Sequence, residues 1–188
     1  WGGDAVDLGI AKDTVNSLKS KLKKGLSCDM IVTIGGASIG DYDLVYKSLK
    51  EMNFKLNFWK IKMKPGKPLM FGFLKNKPII GLPGNPVSSM VCARLFLKQS
   101  IYKLQNHNYN ENIFNFRLGK DLPKNNWRES YIRGYISKNT NNQIVAMPIS
   151  NQDSSSLSSY ANADLLIIRE PNARKIKKHS LVKAIILN

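Results

Sequence analysis

A glycine-rich segment, Gly35–Gly40, stands between a short apolar run and a helix-like pattern. Glycines let a backbone turn tightly and direct several N–H groups at one point, and the start of a helix adds positive potential. An oxyanion such as phosphate fits this arrangement, and Ser38 can donate a further hydrogen bond. Asp41 and Asp43 fall in the first helical turn, where a carboxylate either caps the helix or holds a divalent cation. Spacing alone leaves both roles open.

Lysines recur along the segment Lys60–Lys67, which overlaps the end of a strand predicted over Leu56–Met63. Because successive strand side chains point to opposite faces, Lys60, Lys62 and Lys64 would share one face. An anion held between the three ammonium groups would relieve their repulsion. The alternative is an edge strand whose lysines prevent aggregation, and composition alone favours that alternative.

Two further segments combine an ordinary structural role with a possible binding role. In the segment Leu82–Pro86, Gly84 supplies an unusual backbone angle, Asn85 can cap a helix and Pro86 suits its first position. The same turn could form a rigid wall for a planar ligand or a partner subunit. The serine cluster Ser154–Ser159 is either a polar loop or a set of hydroxyls that closes over an anionic ligand.

The elements that must position these residues fall into two groups. Strand and helix patterns alternate up to about Leu104, beginning with a strand at Ala5–Ile10 and a helix capped by Asp13. This order predicts an α/β fold with a mostly parallel sheet and helices on both faces. After an asparagine-rich stretch, short strand patterns predict a small all-β barrel. We therefore expect domains at residues 1–105 and 106–188.

The composition excludes several classes of protein. The net charge of +16 is spread along the chain without an arginine-rich arm or a nucleic-acid motif, so we expect no nucleic-acid partner. No apolar run reaches the roughly 20 residues of a membrane-spanning helix, so we expect no membrane partner. Cys28 and Cys92 are expected to be reduced core thiols of a cytoplasmic protein. The chain begins on Trp1 without a signal-peptide pattern and is interpreted as a piece of a longer protein.

Taken in order, the motifs resemble the molybdopterin molybdotransferase (MoeA / gephyrin E-domain) family, in its C-terminal half. The resemblance rests on the glycine-rich motif ending at Asp43, on Lys64–Pro68, on Leu82–Ser88 and on the serine-rich run Ser154–Ala163. It extends over essentially the whole chain. It implies an incomplete molybdopterin-binding α/β domain, like that of the MogA and MoaB proteins, followed by a β-barrel.

The activity implied by the resemblance is insertion of molybdate into adenylylated molybdopterin, with release of AMP and with Mg²⁺ as cofactor. The implied catalytic residues are Asp13, Asp43, Lys60 and Lys64, and Asp43 is also the implied ligand of Mg²⁺. The residues expected to bind substrate are glycines, prolines and polar side chains of the four motifs: Gly35, Gly36, Ser38, Gly40, Lys67, Pro83, Gly84, Asn85, Pro86 and Ser154.

The resemblance also implies a homodimer of the full-length protein, with the preceding adenylyltransferase of the pathway as a second partner. Site residues from the missing part would be needed, so the chain alone is expected to bind ligand weakly and not to turn over. Two alternatives stay open at this point. One is a molybdopterin adenylyltransferase-like enzyme, which would lack the barrel and the Lys64–Pro68 motif. The other is a non-enzymatic molybdopterin-binding or scaffold module.

Overall fold

The computed structural model describes residues 1–36 and 44–187 and divides the chain into two units. The first unit comprises Trp1–Ile61 and Gly66–Tyr109. The second comprises Lys62–Pro65 and Asn110–Asn188. The chain therefore leaves the first unit for four residues, which include Lys64, and then returns to it.

In the part of the first unit that the structure describes, helices accompany a four-stranded sheet. Its elements in chain order, with β3 (Met63–Lys64) left to the second unit, are α1 (Val15–Gly25), β1 (Ile31–Ile34), α2 (Leu44–Glu51), β2 (Lys55–Trp59), β4 (Met70–Leu74), β5 (Lys77–Leu82), α3 (Pro86–Cys92), a π-helical turn (Ala93–Leu97) and α4 (Lys98–Leu104).

Within residues 1–36 and 44–109 the strand order is β1-β5-β4-β2, and β1 and β5 are the one parallel pair among these strands. The expectation of a mostly parallel sheet is therefore wrong, because β4 pairs antiparallel with both β5 and β2. The cause is local. Lys75 and Asn76 both adopt positive φ, and this two-residue turn folds β4 and β5 into a hairpin, which can only be antiparallel.

Helices cover both faces of this sheet. On one face, side chains of α1 and α2 pack against alternate strand residues in a core of Leu22, Ile31, Leu49, Met70, Leu74 and Ile79. Phe71 and Ile80 alternate with those residues and so point to the other face, where they line a cleft with Phe96 and Ser100. The long helical region from Pro86 to Leu104 therefore packs on that second face.

The first twelve residues contain no strand, so the strand predicted at Ala5–Ile10 is wrong. Its apolar residues have no neighbouring strand, and the side chain of Ile10 is 97% exposed. The helix that follows is correct but its cap is not Asp13. The Thr14 side chain accepts a hydrogen bond from the Ser17 amide at 3.3 Å and occupies the N-cap position.

The second unit is a closed barrel. Its strands are β3 (Met63–Lys64), β6 (Ile113–Leu118), β7 (Glu129–Lys138), β8 (Ile144–Pro148), β9 (Leu165–Arg169) and β10 (Leu181–Ile186), with a short helix α5 (Leu157–Ala161). The order β7-β8-β6-β10-β9 closes because β9 also pairs with β7, and this confirms the predicted small barrel. Its core contains Leu118, Ala146, Leu165, Ile167, Val182 and Ala184. Among the described residues, no helix is both long and apolar enough to cross a membrane.

Burial makes the thiol of Cys92 unreactive. Its Sγ is fully buried and donates to the Gly66 carbonyl at 3.7 Å, and burial raises the pKa of the thiol to about 12. Because the thiolate is the reacting form, Cys92 stays neutral and inert at any pH well below 12. We expect iodoacetamide at pH 8 to label the half-buried Cys28 alone in the native protein, and both thiols after denaturation, as measured by peptide mass spectrometry. Rapid native labelling of Cys92 would contradict this.

Candidate functional site

Gly35, the first residue of the glycine-rich segment, and the Leu82–Pro86 turn come together at one edge of the sheet. Because β1 and β5 are adjacent and parallel, with Ile34 opposite Leu82, the residues that follow the two strands emerge at the same carboxyl edge. The backbones touch: a Cβ placed on Gly84 would lie 3.4 Å from Gly35 Cα. Ligands of open α/β sheets commonly bind at such an edge.

The Gly35 amide donates to the Leu82 carbonyl at 3.1 Å, so it is not one of the N–H groups that this segment could direct at an anion. This bond ties the two turns together and removes one N–H from the set available to an anion. Gly35 and Gly36 have φ of 82° and 63°, which glycine adopts without strain. The remaining predicted residues of this segment, Ser38, Gly40 and Asp43 together with Asp41, lie outside the described residues.

The second turn leads directly into a helix, as predicted, but the unusual backbone angle predicted for Gly84 is wrong, because its φ is not positive. Asn85 occupies the N-cap position, its carbonyl accepts from the Ser89 amide at 2.9 Å, and Pro86 is the first helical residue. Pro83 is buried, whereas Gly84, Asn85 and Pro86 are exposed. The exposed part of this turn is therefore accessible next to Gly35.

The prediction that Lys60, Lys62 and Lys64 share one strand face is wrong. Strand β2 ends at Trp59, and Lys60 adopts a φ of 62°, which breaks the alternation. The Lys60 ammonium lies over the indole of Trp59, 3.6 Å from the ring centroid. A cation held against an aromatic face keeps its charge exposed while its position is restricted.

Of the other three lysines of this region, Lys62 and Lys64 belong to the second unit and Lys67 to the first. Lys67 is exposed in the first unit, and its carbonyl accepts from the Ile61 amide at 2.9 Å, which closes the local turn. Lys64 is exposed in β3 of the second unit, where it lies opposite Ser130 of β7. The backbone of β3 is fixed by a bond from the Glu129 amide to the Lys62 carbonyl at 2.8 Å.

The described residues do not assemble a magnesium site. Asp13 is exposed just before α1, and no group of three or more His, Cys, Asp or Glu side chains occurs within residues 1–36 and 44–187. Mg²⁺ prefers several oxygen ligands in octahedral geometry. Asp13 by itself does not fit that requirement.

The serine segment forms a tight loop in the second unit. Asp153 accepts from both the amide and the hydroxyl of Ser155, at 2.8 and 2.9 Å, and these bonds lower the pKa of the Asp153 carboxyl. Ser159 donates to the Ser156 carbonyl at 2.6 Å. Ser154 is half-buried at the start of this loop, between Asp153 and Ser155. Most of the serine hydroxyls are therefore engaged within the loop.

Arg133 supports that loop and was missed by sequence reasoning. Its side chain is 1% exposed, and its Nη2 donates to the carbonyls of Asn151 and Asp153 at 3.3 and 3.1 Å. Burial lowers the pKa of this guanidinium, and the nearby Asp153 opposes the shift. The sequence pattern around Arg133 does not indicate that its side chain is buried. The one hint in the sequence is the long loop after β8, whose backbone carbonyls need donors from elsewhere.

An aromatic cleft elsewhere in the first unit contains none of the predicted residues. It has a volume of about 190 Å³, and Phe58, Phe71 and Phe96 line it with Lys103 at the side. It is apolar and does not suit a small oxyanion. The candidate site therefore remains the glycine edge of the sheet.

The sequence matches two family models. Residues 1–103 match the model described as "Probable molybdopterin binding domain", and residues 115–187 match "MoeA C-terminal region (domain IV)". A molybdopterin molybdenumtransferase of Haemophilus influenzae is 32% identical over 170 residues, which are 89% of this chain and 42% of the relative. The molybdenum cofactor synthesis protein cinnamon of Drosophila melanogaster is 34% identical over 142 residues, covering 74% of this chain and 23% of that protein.

Solved structures show the same fold. The molybdopterin biosynthesis MoeA protein of Pyrococcus horikoshii superposes with a TM-score of 0.79 at 24% identity, over 100% of this chain and 44% of that one. The chain therefore spans less than half the length of these relatives. Because the match to the first family model covers more than half of the sequence, this chain belongs to the family of probable molybdopterin binding domains.

Proposed function

We propose that this chain forms the substrate-binding part of a molybdopterin molybdotransferase, an enzyme of molybdenum-cofactor biosynthesis. The reaction would insert molybdate into adenylylated molybdopterin and release AMP. The substrates are anionic: one carries a pyrophosphate and molybdate is a dianion. Bringing them together requires fixed positive charges and backbone dipoles.

The observation that carries the proposal is the contact between the Gly35 and Gly84 backbones at the carboxyl ends of β1 and β5. A side chain at either position would narrow the edge, whereas two glycines let a flat or phosphate-bearing ligand approach the backbone. Gly36 and the segment up to Gly40 would hold the terminal phosphate of the pterin. Pro83 and Pro86 would form the rigid wall, with Asn85 between them.

The lysines would supply the charge that molybdate requires. Lys60, held over Trp59, presents an exposed ammonium group, and a point charge of this kind suits a tetrahedral oxyanion. Lys64 and Lys67 would add to the positive field, and Ser154 would contribute a hydroxyl. The lysine roles are supported by charge, exposure and motif position, and the role of Ser154 by motif position.

Several parts of the proposal go beyond the described residues. Asp43 would hold Mg²⁺, which assists loss of the adenylyl group, and Asp13 would be a second acid of the site. A homodimer would complete the site, and the adenylyltransferase of the pathway would deliver the substrate. We also propose domain limits of 1–105 and 106–188 and a cytoplasmic location. The chain alone would not turn over.

Binding of adenylylated molybdopterin, followed by pterin fluorescence, tests the proposal without requiring turnover. We expect saturable binding, which molybdate strengthens, and about tenfold weaker molybdate binding in Lys60→Ala, the effect of losing one close charge interaction of roughly 1.4 kcal/mol. Lys183→Ala is the matched control, because Lys183 is an exposed lysine of β10 outside the proposed site. Equal effects of the two substitutions, or no saturable binding by the unsubstituted chain, would remove the support for this function.

A further inference from the structure

Strand β3, which carries Lys64, is too short to hold its own position and depends on its pairing with β7. It is two residues long, and it pairs with the first residues of β7, Met63 opposite Glu129 and Lys64 opposite Ser130. The position of the Lys64 backbone therefore depends on how firmly the start of β7 is fixed. Ser130 is central to this, because it also lies opposite Arg169 of β9 on its other edge.

Asn125 fixes this corner of the second unit. Its amide oxygen accepts from the Ser130 hydroxyl at 2.8 Å. Its Nδ2 lies 2.9, 3.0 and 2.8 Å from the carbonyls of Arg128, Arg169 and Glu170. Because an amide nitrogen carries two hydrogens, these three contacts share two donors. The Asn125 side chain thus connects the loop before β7, the first residues of β7 and the end of β9.

The backbone around this side chain is tied in the same way. The Asn125 amide donates to the Ala173 carbonyl at 2.8 Å, and Arg169 Nη2 donates to the carbonyls of Pro123 and Arg174 at 3.2 and 2.7 Å. Ser130 is 7% exposed, so its hydroxyl has no ready replacement partner in water. Loss of the Asn125 side chain would leave this hydroxyl and several carbonyls with fewer partners.

We propose that Asn125 is a positioning residue for Lys64, acting through Ser130 and the start of β7. The inference rests on the proposed function, in which the Lys64 ammonium contributes to oxyanion binding. Asn125 does not touch the anion in this proposal. It holds the strand from which the lysine side chain extends, so its removal loosens β3 before it changes the rest of the barrel.

Hydrogen exchange of the 188-residue chain tests the positioning directly. In Asn125→Ala we expect the amide of Glu129, which donates to the Lys62 carbonyl, and the amide of Lys64, which faces β7, to exchange about tenfold faster. This is the size of effect that losing one or two hydrogen bonds produces locally. Ser130→Ala should give a smaller effect in the same segment, and Ser130→Thr, which keeps the hydroxyl, should restore slow exchange. Amides of β10 should be unchanged in all three variants.

The matched control is Asn139→Ala at the opposite end of β7. Asn139 Oδ1 accepts from the amides of Asn141 and Gln143 at 3.0 and 2.9 Å, so its removal also costs a turn its hydrogen bonds. Asn139→Ala should leave the hydrogen exchange of the β3 amides unchanged. Unaltered exchange at Lys64 and Glu129 in Asn125→Ala, or equally faster exchange in β10, would overturn the proposal, since Asn125 would then have no local effect on β3.

A molybdate titration separates this inference from the proposed function. We expect Asn125→Ala to weaken molybdate binding about threefold to tenfold, and Lys64→Ala to weaken it at least as much. In the double variant the loss should not exceed that of Lys64→Ala, because both changes act through one ammonium group. If Lys64→Ala does not change molybdate affinity, the proposed role of Lys64 in anion binding is wrong. Hydrogen exchange in β3 then still decides whether Asn125 positions the Lys64 backbone. Additive losses would overturn the route through Lys64.

Discussion

Gly84→Val is expected to weaken binding of adenylylated molybdopterin about 100-fold while changing the melting temperature by no more than about 2 °C. The Cβ position of residue 84 lies 3.4 Å from Gly35 Cα, which is ordinary contact for a methyl group. Valine adds two further methyl groups beyond that Cβ. They would displace either the Gly35 backbone or the Leu82–Pro86 turn from the edge where the ligand is proposed to lie.

The fold should tolerate this change because Gly84 is exposed and lies in a loop beyond β5. Gly84 also lacks the positive φ that only glycine adopts without strain, so a side chain there adds no backbone strain of its own. A 100-fold loss of affinity corresponds to about 2.7 kcal/mol, which is the size of effect expected when a ligand can no longer reach backbone donors. Binding and stability should therefore separate in this variant.

Gly84→Ala is the matched control, since its single methyl group fits the available space and should cost at most a few-fold in affinity. Affinity is read from pterin fluorescence and stability from a thermal melt followed by circular dichroism. Wild-type affinity in Gly84→Val would show that the ligand does not approach this edge. A melting temperature lowered by more than about 5 °C would show instead that the turn is structural.

The sequence predicted the strands and helices well where the apolar pattern was regular. The barrel strands and the helix beginning at Pro86 follow from alternation, helical spacing and proline chemistry, all of which are local. Sheet direction is not local. The positive φ of Lys75 and Asn76 converts two strands into a hairpin, and lysine is not a residue whose type signals such a turn.

The prediction that three lysines share one strand face was wrong for a similar reason. Alternation assumes a continuous strand, but the left-handed backbone at Lys60 ends β2, and the residues that follow belong to the second unit. Asp13 lost the cap position to its neighbour Thr14 because either residue type suits an N-cap, and one residue of shift decides which side chain reaches the Ser17 amide. The convergence of the two glycine turns could be predicted, because parallel neighbouring strands end at the same edge.

Buried arginines were the least predictable feature. Arginine is rarely fully buried, so a sequence pattern assigns it to the surface. Arg133 nevertheless lies inside the second unit, where its guanidinium satisfies the carbonyls of a loop that has no regular pairing of its own. Loops of this kind need a donor from elsewhere when their carbonyls are buried.

Arg133→Ala is accordingly expected to lower the unfolding free energy of the second unit by about 3–5 kcal/mol. The substitution empties a space that a long side chain fills. It also removes the Arg133 donor from the Asn151 carbonyl and leaves the Asp153 carbonyl with the Ser156 amide as its remaining donor. Arg133→Met should cost less, about 1–3 kcal/mol, because methionine restores most of the volume and removes a buried charge. Both variants keep the two hydrogen bonds between the backbone of residue 133 and the Gln152 side chain. In these bonds the amide of residue 133 donates to Gln152 Oε1, and Gln152 Nε2 donates to the carbonyl of residue 133.

Arg117→Ala is the control for loss of an arginine in the same barrel. Arg117 is exposed, and its Nη1 donates to the His179 carbonyl at 3.1 Å, so its removal should cost less than about 1 kcal/mol. Native-state hydrogen exchange of the β9 amides measures the opening free energy of the second unit without assuming that both units unfold together. Similar losses in Arg133→Ala and Arg117→Ala would contradict the prediction. A loss confined to the amides of residues 151–159, with β9 unchanged, would restrict the role of Arg133 to holding the serine loop.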